Sequence, residues 1–247
     1  MKSHEFIEDP TARIMPTIDS IKRDCIPFLT ENLAYMSTEE RFLYRGMKDS
    51  GNMMLPLSIK KITRTDRRPL DSSTQTHNMF NEAFQHTFGW PYRSASVFAF
   101  KSPVKAMVFG PVYIIFPIGE YTLLFSPHIA DLTEEHEPLI NKIIGNMPQS
   151  ELVTAIANSN LNSISKFEIT DHESVLDIIN RSGRVLGPVQ TFFENYIFPK
   201  FGYQETTKLQ NITPKSEIMV ACSSYYAIST AHFGAPTKSQ LIALLNA

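Results

Sequence analysis

The sequence contains very little cysteine. Its 247 residues include two, Cys25 and Cys222, which lie in unrelated contexts and lack the spacing of a metal site. We therefore expect no disulfide, and the scarcity of cysteine favours a reducing, cytoplasmic setting. The seven histidines show neither an HxxxH nor an HExxH pairing, so we expect no zinc site and assign no metal ligand.

Long apolar runs and an excess of one charge are also absent. No stretch reaches 18 apolar residues, and the longest apolar-rich run, at 108–117, is interrupted by Gly110 and Pro111. We expect no transmembrane helix and no membrane partner, and residues 1–10 are too polar for a secretory signal. The formal net charge of −2 indicates no strong overall attraction to nucleic acid or acidic membranes.

Two common nucleotide-binding motifs are missing. No GxGxxG follows a predicted strand and no GxxxxGK[ST] occurs, so neither a Rossmann dinucleotide site nor a P-loop is supported. Strand and helix patterns are mixed without regular βαβ alternation, which favours an α+β fold over a doubly wound sheet. With 43% hydrophobic residues, the chain is long and apolar enough for one large globular domain.

Periodicity predicts helical segments at both ends of a strand-rich centre. Apolar residues recur at helical spacing from Ile18 to Leu33, where Pro27 should kink or divide the helix. Residues 37–40 look like a short capped turn. The predicted strands are 41–45, 59–65, 96–100, 112–116, 121–125, 217–222 and 225–228. The predicted helices after the first segment are 76–88, a short one from Ser102-Pro103, 134–144, 150–158, 173–180, 188–198 and 240–245.

The run Leu43-Tyr44-Arg45-Gly46, at the end of the first predicted strand, resembles the first signature of the arginine-serine-glutamate class of ADP-ribosyltransferases. In that family the arginine contacts the phosphates or ribose of NAD. A guanidinium suits this role because it is always charged and can fork onto phosphate oxygens. The resemblance implies that Arg45 and Gly46 bind NAD. The structural alternative for Arg45 is an ordinary surface arginine at a strand end.

The second signature of the family is a serine-bearing strand that leads into a helix, and it can be placed in two ways. One placement uses Ser94 and Ser96. The other uses 98–102, which loses the first serine but is similar to the aromatic strand of the poly-ADP-ribose polymerase branch. The resemblance implies that Ser94 and Ser96 make polar contacts with NAD and that Phe98 lies near nicotinamide. Period-2 alternation alone predicts a half-buried strand with outward-facing serines.

The third signature of the family is a glutamate at the start of a late strand. Lys215-Ser216-Glu217, followed by Ile-Met-Val, matches it from Glu217 onward. In the family this glutamate hydrogen-bonds the nicotinamide ribose and stabilises oxocarbenium-like charge, so the resemblance implies that Glu217 is catalytic. Lys215 stands where arginine-modifying members carry Glu or Gln, which argues against arginine as the acceptor. Taken alone, Glu217 could be a solvated carboxylate.

The only basic run, 60–69, holds five cations and one acid. A solvated loop is its ordinary interpretation, and the functional one is an electrostatic footprint for RNA, DNA or the NAD phosphates. Arg67 and Arg68 are therefore candidates for substrate binding, with Arg93 lining the same NAD cleft. His77, early in the Phe-rich helix, is a candidate for contact with adenine or a ribose hydroxyl; ordinary polarity at a helix N-terminus is the alternative.

The order of the three signatures predicts an α+β fold with an ADP-ribosyltransferase-like split β-sheet core, an N-terminal helical segment and a helical insertion at 133–200, all in a single domain spanning 1–247. The implied function is mono-ADP-ribosyl transfer from NAD to a protein or nucleic-acid (RNA or DNA) acceptor. A bacterial toxin or phage-encoded host modifier would fit, with an antitoxin or inhibitor protein as a further partner. The alternatives are a non-catalytic NAD- or nucleic-acid-binding module on the same fold, and a nucleic-acid-binding protein that does not use NAD.

Overall fold

A computed structural model describes residues 10–39, 41–48, 56–68, 73–164, 169, 171–181, 187–231 and 235–247. The chain divides into two compact units. The first unit comprises Met1–Thr63, Val97–Leu124 and Glu205–Ala247, and the second comprises Arg64–Ser96 and Phe125–Gln204. The segment 133–200, predicted to be an insertion, belongs to the second unit together with residues 64–96. The single-domain assignment stays a prediction.

Eight strands in the described residues form one sheet, which belongs to the first unit except at the ends of two strands. They are β1 (Tyr44–Gly46), β2 (Ser58–Ile62), β3 (Val97–Phe100), β4 (Val112–Pro117), β5 (Tyr121–Phe125), β6 (Gln204–Thr206), β7 (Glu217–Cys222) and β8 (Ser224–Ser229). Their order across the sheet is β2-β8-β4-β1-β3-β7-β5-β6. This sheet, together with the helices of the chain, confirms the α+β class. The ADP-ribosyltransferase-like architecture stays a prediction.

The centre of the sheet joins strands that are far apart in the chain. Tyr44 of β1 pairs with Phe100 of β3, and Phe100 pairs with Glu217 of β7, all antiparallel. On the other side of β1, β4 is buried along its whole length. A continuous apolar run of this kind is expected for a strand that is covered on both faces.

The described residues also form ten α-helices. They are α1 (Pro10–Asp24), α2 (Ile26–Glu39), α3 (Thr74–Phe88), α4 (Tyr92–Ala95), α5 (Pro103–Met107), α6 (Leu132–Gly145), α7 (Gln149–Ser159), α8 (His172–Arg181), α9 (Gly187–Phe192) and α10 (Lys238–Asn246). The break at Cys25 confirms that Pro27 divides the first helix, because a proline in the first turn lacks only an N–H that has no intrahelical partner. The predicted turn at 37–40 is wrong over 37–39, where α2 continues and the Thr38 hydroxyl donates to Ala34 O.

A cluster of phenylalanines forms part of the core of the second unit. Phe80 and Phe84 of α3 meet Phe193, Phe198 and Phe201 edge to face, with ring centroids 4.9 Å apart for Phe80 and Phe193 and 5.1 Å apart for Phe84 and Phe198. Edge-to-face packing of this kind adds to the stabilisation from burial. The helix predicted over 188–198 is α-helical only to residue 192 and then continues as a π turn and a 3-10 turn.

The two cysteines are buried free thiols. Burial raises the pKa of the Cys25 thiol to about 12, so this group stays protonated near neutral pH. None of the helices in the described part of the chain combines the length and apolar character that crossing a membrane requires.

Asn32 of α2 ties together three parts of the first unit. Its side chain is fully buried, and the two N–H groups of Nδ2 are shared among Phe28 O, Tyr121 OH and Thr207 O, which lie 2.9–3.0 Å away. Its Oδ1 accepts a 2.7 Å bond from the Leu209 N–H. Because each of these polar groups lies away from water, loss of the amide would leave several of them unsatisfied.

We expect Asn32→Ala to lower the free energy of unfolding by about 3 kcal/mol, because it creates a cavity and strands buried polar groups. The measurement is urea denaturation at neutral pH. Asn158→Ala is the matched control: Asn158 is exposed, makes one bond to Tyr196 OH, and should cost less than about 1 kcal/mol. Equal losses in the two variants would contradict the role given to Asn32.

Candidate functional site

Arg45 lies half-buried on β1 and is anchored to the neighbouring strand. Its Nη1 donates to Phe98 O at 3.0 Å, and its Nε is buried without a hydrogen-bond partner in the part of the chain that the structure describes. A guanidinium carries five N–H donors. One bond to a neutral carbonyl orients the group without neutralising its charge, an arrangement suited to holding an anion.

Gly46 follows Arg45 at a point of very close packing. A Cβ at this position would stand 2.0 Å from Ala106 O and 2.8 Å from the Cβ of Phe109. The absence of a side chain therefore lets α5 and the turn after it approach β1. This packing accounts for a glycine at position 46, and the predicted contact of Gly46 with NAD stays a prediction.

Glu217 is the first residue of β7 and is half-buried. The loop before it is tied down: Lys105 Nζ donates to Lys215 O at 2.6 Å, and the buried Ser216 hydroxyl bonds the Thr213 hydroxyl. Phe98, predicted to lie near nicotinamide, is half-buried and pairs with Met219 two residues beyond Glu217. The Glu217 carboxylate thus stands at the start of a strand that pairs with β3 and follows an anchored loop.

The prediction that the serines of residues 93–96 lie on a strand is wrong. Residues 92–95 form the helical turn α4, in which the N–H groups of Ser94 and Ala95 donate to Pro91 O at 3.0 and 2.9 Å. Ser96 directly precedes β3, but its side chain is buried instead of facing outward. Its Oγ has no hydrogen-bond partner among the described residues. Neither serine therefore stands on a strand with an outward-facing hydroxyl.

Four of the predicted residues nevertheless form one hydrogen-bonded cluster within the second unit. His77 Nε2 lies 3.1 Å from Ser94 Oγ, and Arg67 Nη1 donates to Ser96 O at 3.1 Å. The Arg67 N–H donates to Ser94 O, and the Ser94 N–H donates to Asn81 Oδ1. Asn81 was not among the predicted site residues, although its position four residues after His77 on α3 places both on one helix face.

The electrostatics of this cluster favour the neutral form of His77. Burial lowers the pKa of the imidazole, and the positive charges of Arg93 and Arg67 lower it further. Arg93 is buried, whereas Arg68 is exposed. The Nδ1 of His77 is also buried and makes no hydrogen bond to any residue that the structure describes. His77 therefore acts as a hydrogen-bonding group in a positive field and does not add a charge.

The cations of the basic run at 60–69 differ in exposure and in their partners. Lys60 and Lys61 are exposed on β2, an edge strand of the sheet. Arg64 pairs with Asp66 at 3.2 Å, and both side chains are largely exposed. These residues fit the solvated interpretation of the run, whereas Arg67 belongs to the cluster around Ser94. Pro69 lies outside the described residues.

Gly46→Ala should destabilise the first unit strongly. The added methyl group would clash with a backbone carbonyl, which cannot move without displacing α5, so we expect a loss of about 3 kcal/mol or more in the free energy of unfolding. Thermal and urea unfolding measure it. Gly145→Ala is the control, because no atom lies within 4 Å of the added Cβ; it should change stability by less than about 1 kcal/mol. A tolerated Gly46→Ala would disprove the close approach.

His77 should make the protein less stable in mild acid. Because its pKa in the folded state lies below the unfolded value of 6.5, the unfolded state binds the proton more readily. This contribution to stability is fully present above 6.5 and is lost as the pH falls from there towards the folded pKa. His77→Gln should therefore reduce the loss of unfolding free energy between about pH 7.5 and about pH 5.5. Gln85→Ala, at an exposed position of the same helix that carries no titratable group, should leave that loss unchanged.

Comparison of the chain with protein-family models, with curated proteins and with solved structures finds no match.

Proposed function

We propose that the chain is an NAD-dependent mono-ADP-ribosyltransferase. One observation carries the proposal: the strands that bear Arg45, Phe98 and Glu217 are consecutive in the sheet, in the order β1-β3-β7. The three residues lie in separate stretches of sequence, each of which resembles a signature of one family. The adjacency of these strands supports the proposal because it brings residues from distant stretches of the chain close together in the fold. Phe98 lies on the same face of the sheet as Glu217, and Arg45 reaches Phe98 O from the neighbouring strand.

Arg45 is the proposed ligand for an NAD phosphate. It is half-buried, and among the described residues it has a carbonyl partner but no carboxylate partner. The nearby Cys222 thiol does not provide a counter-charge, because burial raises its pKa. A partly desolvated guanidinium without a counter-ion gains from binding an anion, and a phosphate oxygen pair fits its forked donors.

Glu217 is the proposed catalytic residue. In the transfer, the bond between C1′ of the nicotinamide ribose and nicotinamide breaks, and its electron pair leaves with nicotinamide. The acceptor nucleophile supplies the electron pair of the new bond at C1′ and releases its proton. An ionised carboxylate beside C1′ stabilises the positive charge that develops between these events. Water in place of the acceptor gives free ADP-ribose, so slow NAD hydrolysis should accompany transfer.

A second candidate function is a non-catalytic NAD-binding module. The observation in its favour is that Ser94 lies in a helical turn and the Ser96 hydroxyl is buried, so neither matches the serine strand of the family. The acceptor of a transferase could be a protein or a nucleic acid. Lys215, exposed beside Glu217, favours an acceptor other than arginine because it would repel a guanidinium.

The test is to incubate the purified protein with NAD and cell lysate and to locate ADP-ribose on protein and RNA by mass spectrometry, with nicotinamide release as the rate. We expect Glu217→Gln to lower kcat about 100-fold or more with little change in KM, because the lost charge acts in the transition state. Glu120→Gln removes an exposed carboxylate from the same unit and should leave both constants unchanged.

Arg45→Lys tests the phosphate contact in the same assay. A lysine keeps the charge but loses the forked donors, so NAD binding by calorimetry should weaken about tenfold or more. Arg41→Lys, at an exposed position before β1, is the control. Turnover that survives both Glu217→Gln and Arg45→Lys would remove these residues from the mechanism. Tight NAD binding without turnover would favour the non-catalytic module, and no binding at all would exclude both proposals.

A further inference from the structure

Lys101 is a buried lysine that directly follows β3. Its side chain is 6% exposed, and Nζ donates to Leu209 O at 2.9 Å and to Ile212 O at 2.8 Å. The same nitrogen stands 4.8 Å from the ring centroid of Tyr35. Two carbonyls and an aromatic face thus surround the ammonium group, and no carboxylate pairs with it among the described residues.

Burial of an ammonium group is costly, so packing alone does not account for a lysine at this position. Taking such an ion out of water costs several kcal/mol unless its donors are satisfied, and an apolar side chain would fill the same space without that cost. Here the donors meet carbonyl oxygens at and just beyond the short 3-10 turn Leu209–Asn211. The oxygen of each carbonyl carries partial negative charge, which favours a cation.

The carbonyls that Lys101 binds belong to the loop that leads into Glu217. Within residues 207–216, the buried Leu209, Ile212 and Ser216 alternate with exposed positions. Asn32 holds the start of the loop through its bonds to Thr207 O and Leu209 N, and Lys105 binds Lys215 O near its end. Lys101 holds the middle and is the only buried cation among these three anchors.

We propose that Lys101 is a positioning residue: by binding the two carbonyls it fixes the loop 207–216 and thereby the orientation of the Glu217 carboxylate. The catalytic part of this inference rests on the proposed transferase function. A carboxylate that stabilises charge at C1′ must stay within a fraction of an ångström of its working position, because displacement by about 1 Å can cost about 100-fold in rate. A surface loop without buried anchors would not provide that precision.

The test measures amide hydrogen exchange and NAD hydrolysis on the full chain with Lys101→Met, which keeps the length of the side chain but removes the charge and donors. We expect exchange in peptides that cover 207–216 to rise about tenfold or more, and exchange in β4 to stay unchanged. We also expect kcat to fall about tenfold or more while KM changes less than about twofold. Lys208→Met is the matched control. It removes an exposed lysine of the same loop, paired with Glu31 at 3.6 Å, and should change neither quantity.

A second variant covers the case in which Lys101→Met does not fold. Lys101→Arg keeps the charge, but the longer side chain and planar guanidinium cannot occupy the compact position of the ammonium group, so it should show the same two effects in milder form. Unchanged loop exchange in a folded variant overturns the inference, and so does raised exchange with an unchanged kcat. If the wild-type protein does not turn over NAD, the proposed function fails, and with it the catalytic part of the inference. The exchange result still decides whether Lys101 fixes the loop.

Discussion

The backbone of Phe100 is the junction on which the candidate site depends. It pairs with Tyr44 on one side and with Glu217 on the other, so β3 sets the spacing between the strand of Arg45 and the strand of Glu217. Its ring stacks on Phe109 at a centroid distance of 5.6 Å, and the Cβ of Phe109 is one of the atoms that a side chain at Gly46 would strike. Phe100 therefore fixes the strand register through its backbone and, through its ring, contacts the segment after α5 that packs against Gly46.

The segment 97–107 extends this constraint to the loop before β7. Its strand part receives the Arg45 guanidinium at Phe98 O, and its later part supplies Lys101 and Lys105, which bind carbonyls of residues 209–215. One short segment thus orients the proposed phosphate ligand and holds the approach to the proposed catalytic carboxylate. Because the segment 97–107 contacts both Arg45 and the loop before Glu217, it helps to fix these two residues relative to each other although they are far apart in the chain.

Local patterns predict much of the fold and less of the candidate site. Alternation and capping residues locate β4, β5 and β7, and Gly89 ends α3 in the left-handed conformation as expected. Four residues cannot distinguish a strand from a helical turn, so alternation at Ser94 and Ser96 misplaced both serines. Lys101 could not be recognised at all: its partners are backbone carbonyls 108 and 111 residues away, and a carbonyl has no signature in a sequence.

The cations of the candidate site differ from several others on the chain in their hydrogen-bond partners. In the described structure, Arg45, Lys101 and Lys105 are anchored by backbone carbonyls, whereas Arg23 and Arg64 pair with aspartates. A carboxylate partner cancels the charge that it holds, but a carbonyl orients a cation and leaves its charge available to a ligand. A protein with a net charge of −2 can therefore keep a local positive potential beside β3. In the proposed function this potential would attract NAD, which is an anion. Among the described residues Arg45, which has no carboxylate partner there, is its most direct source.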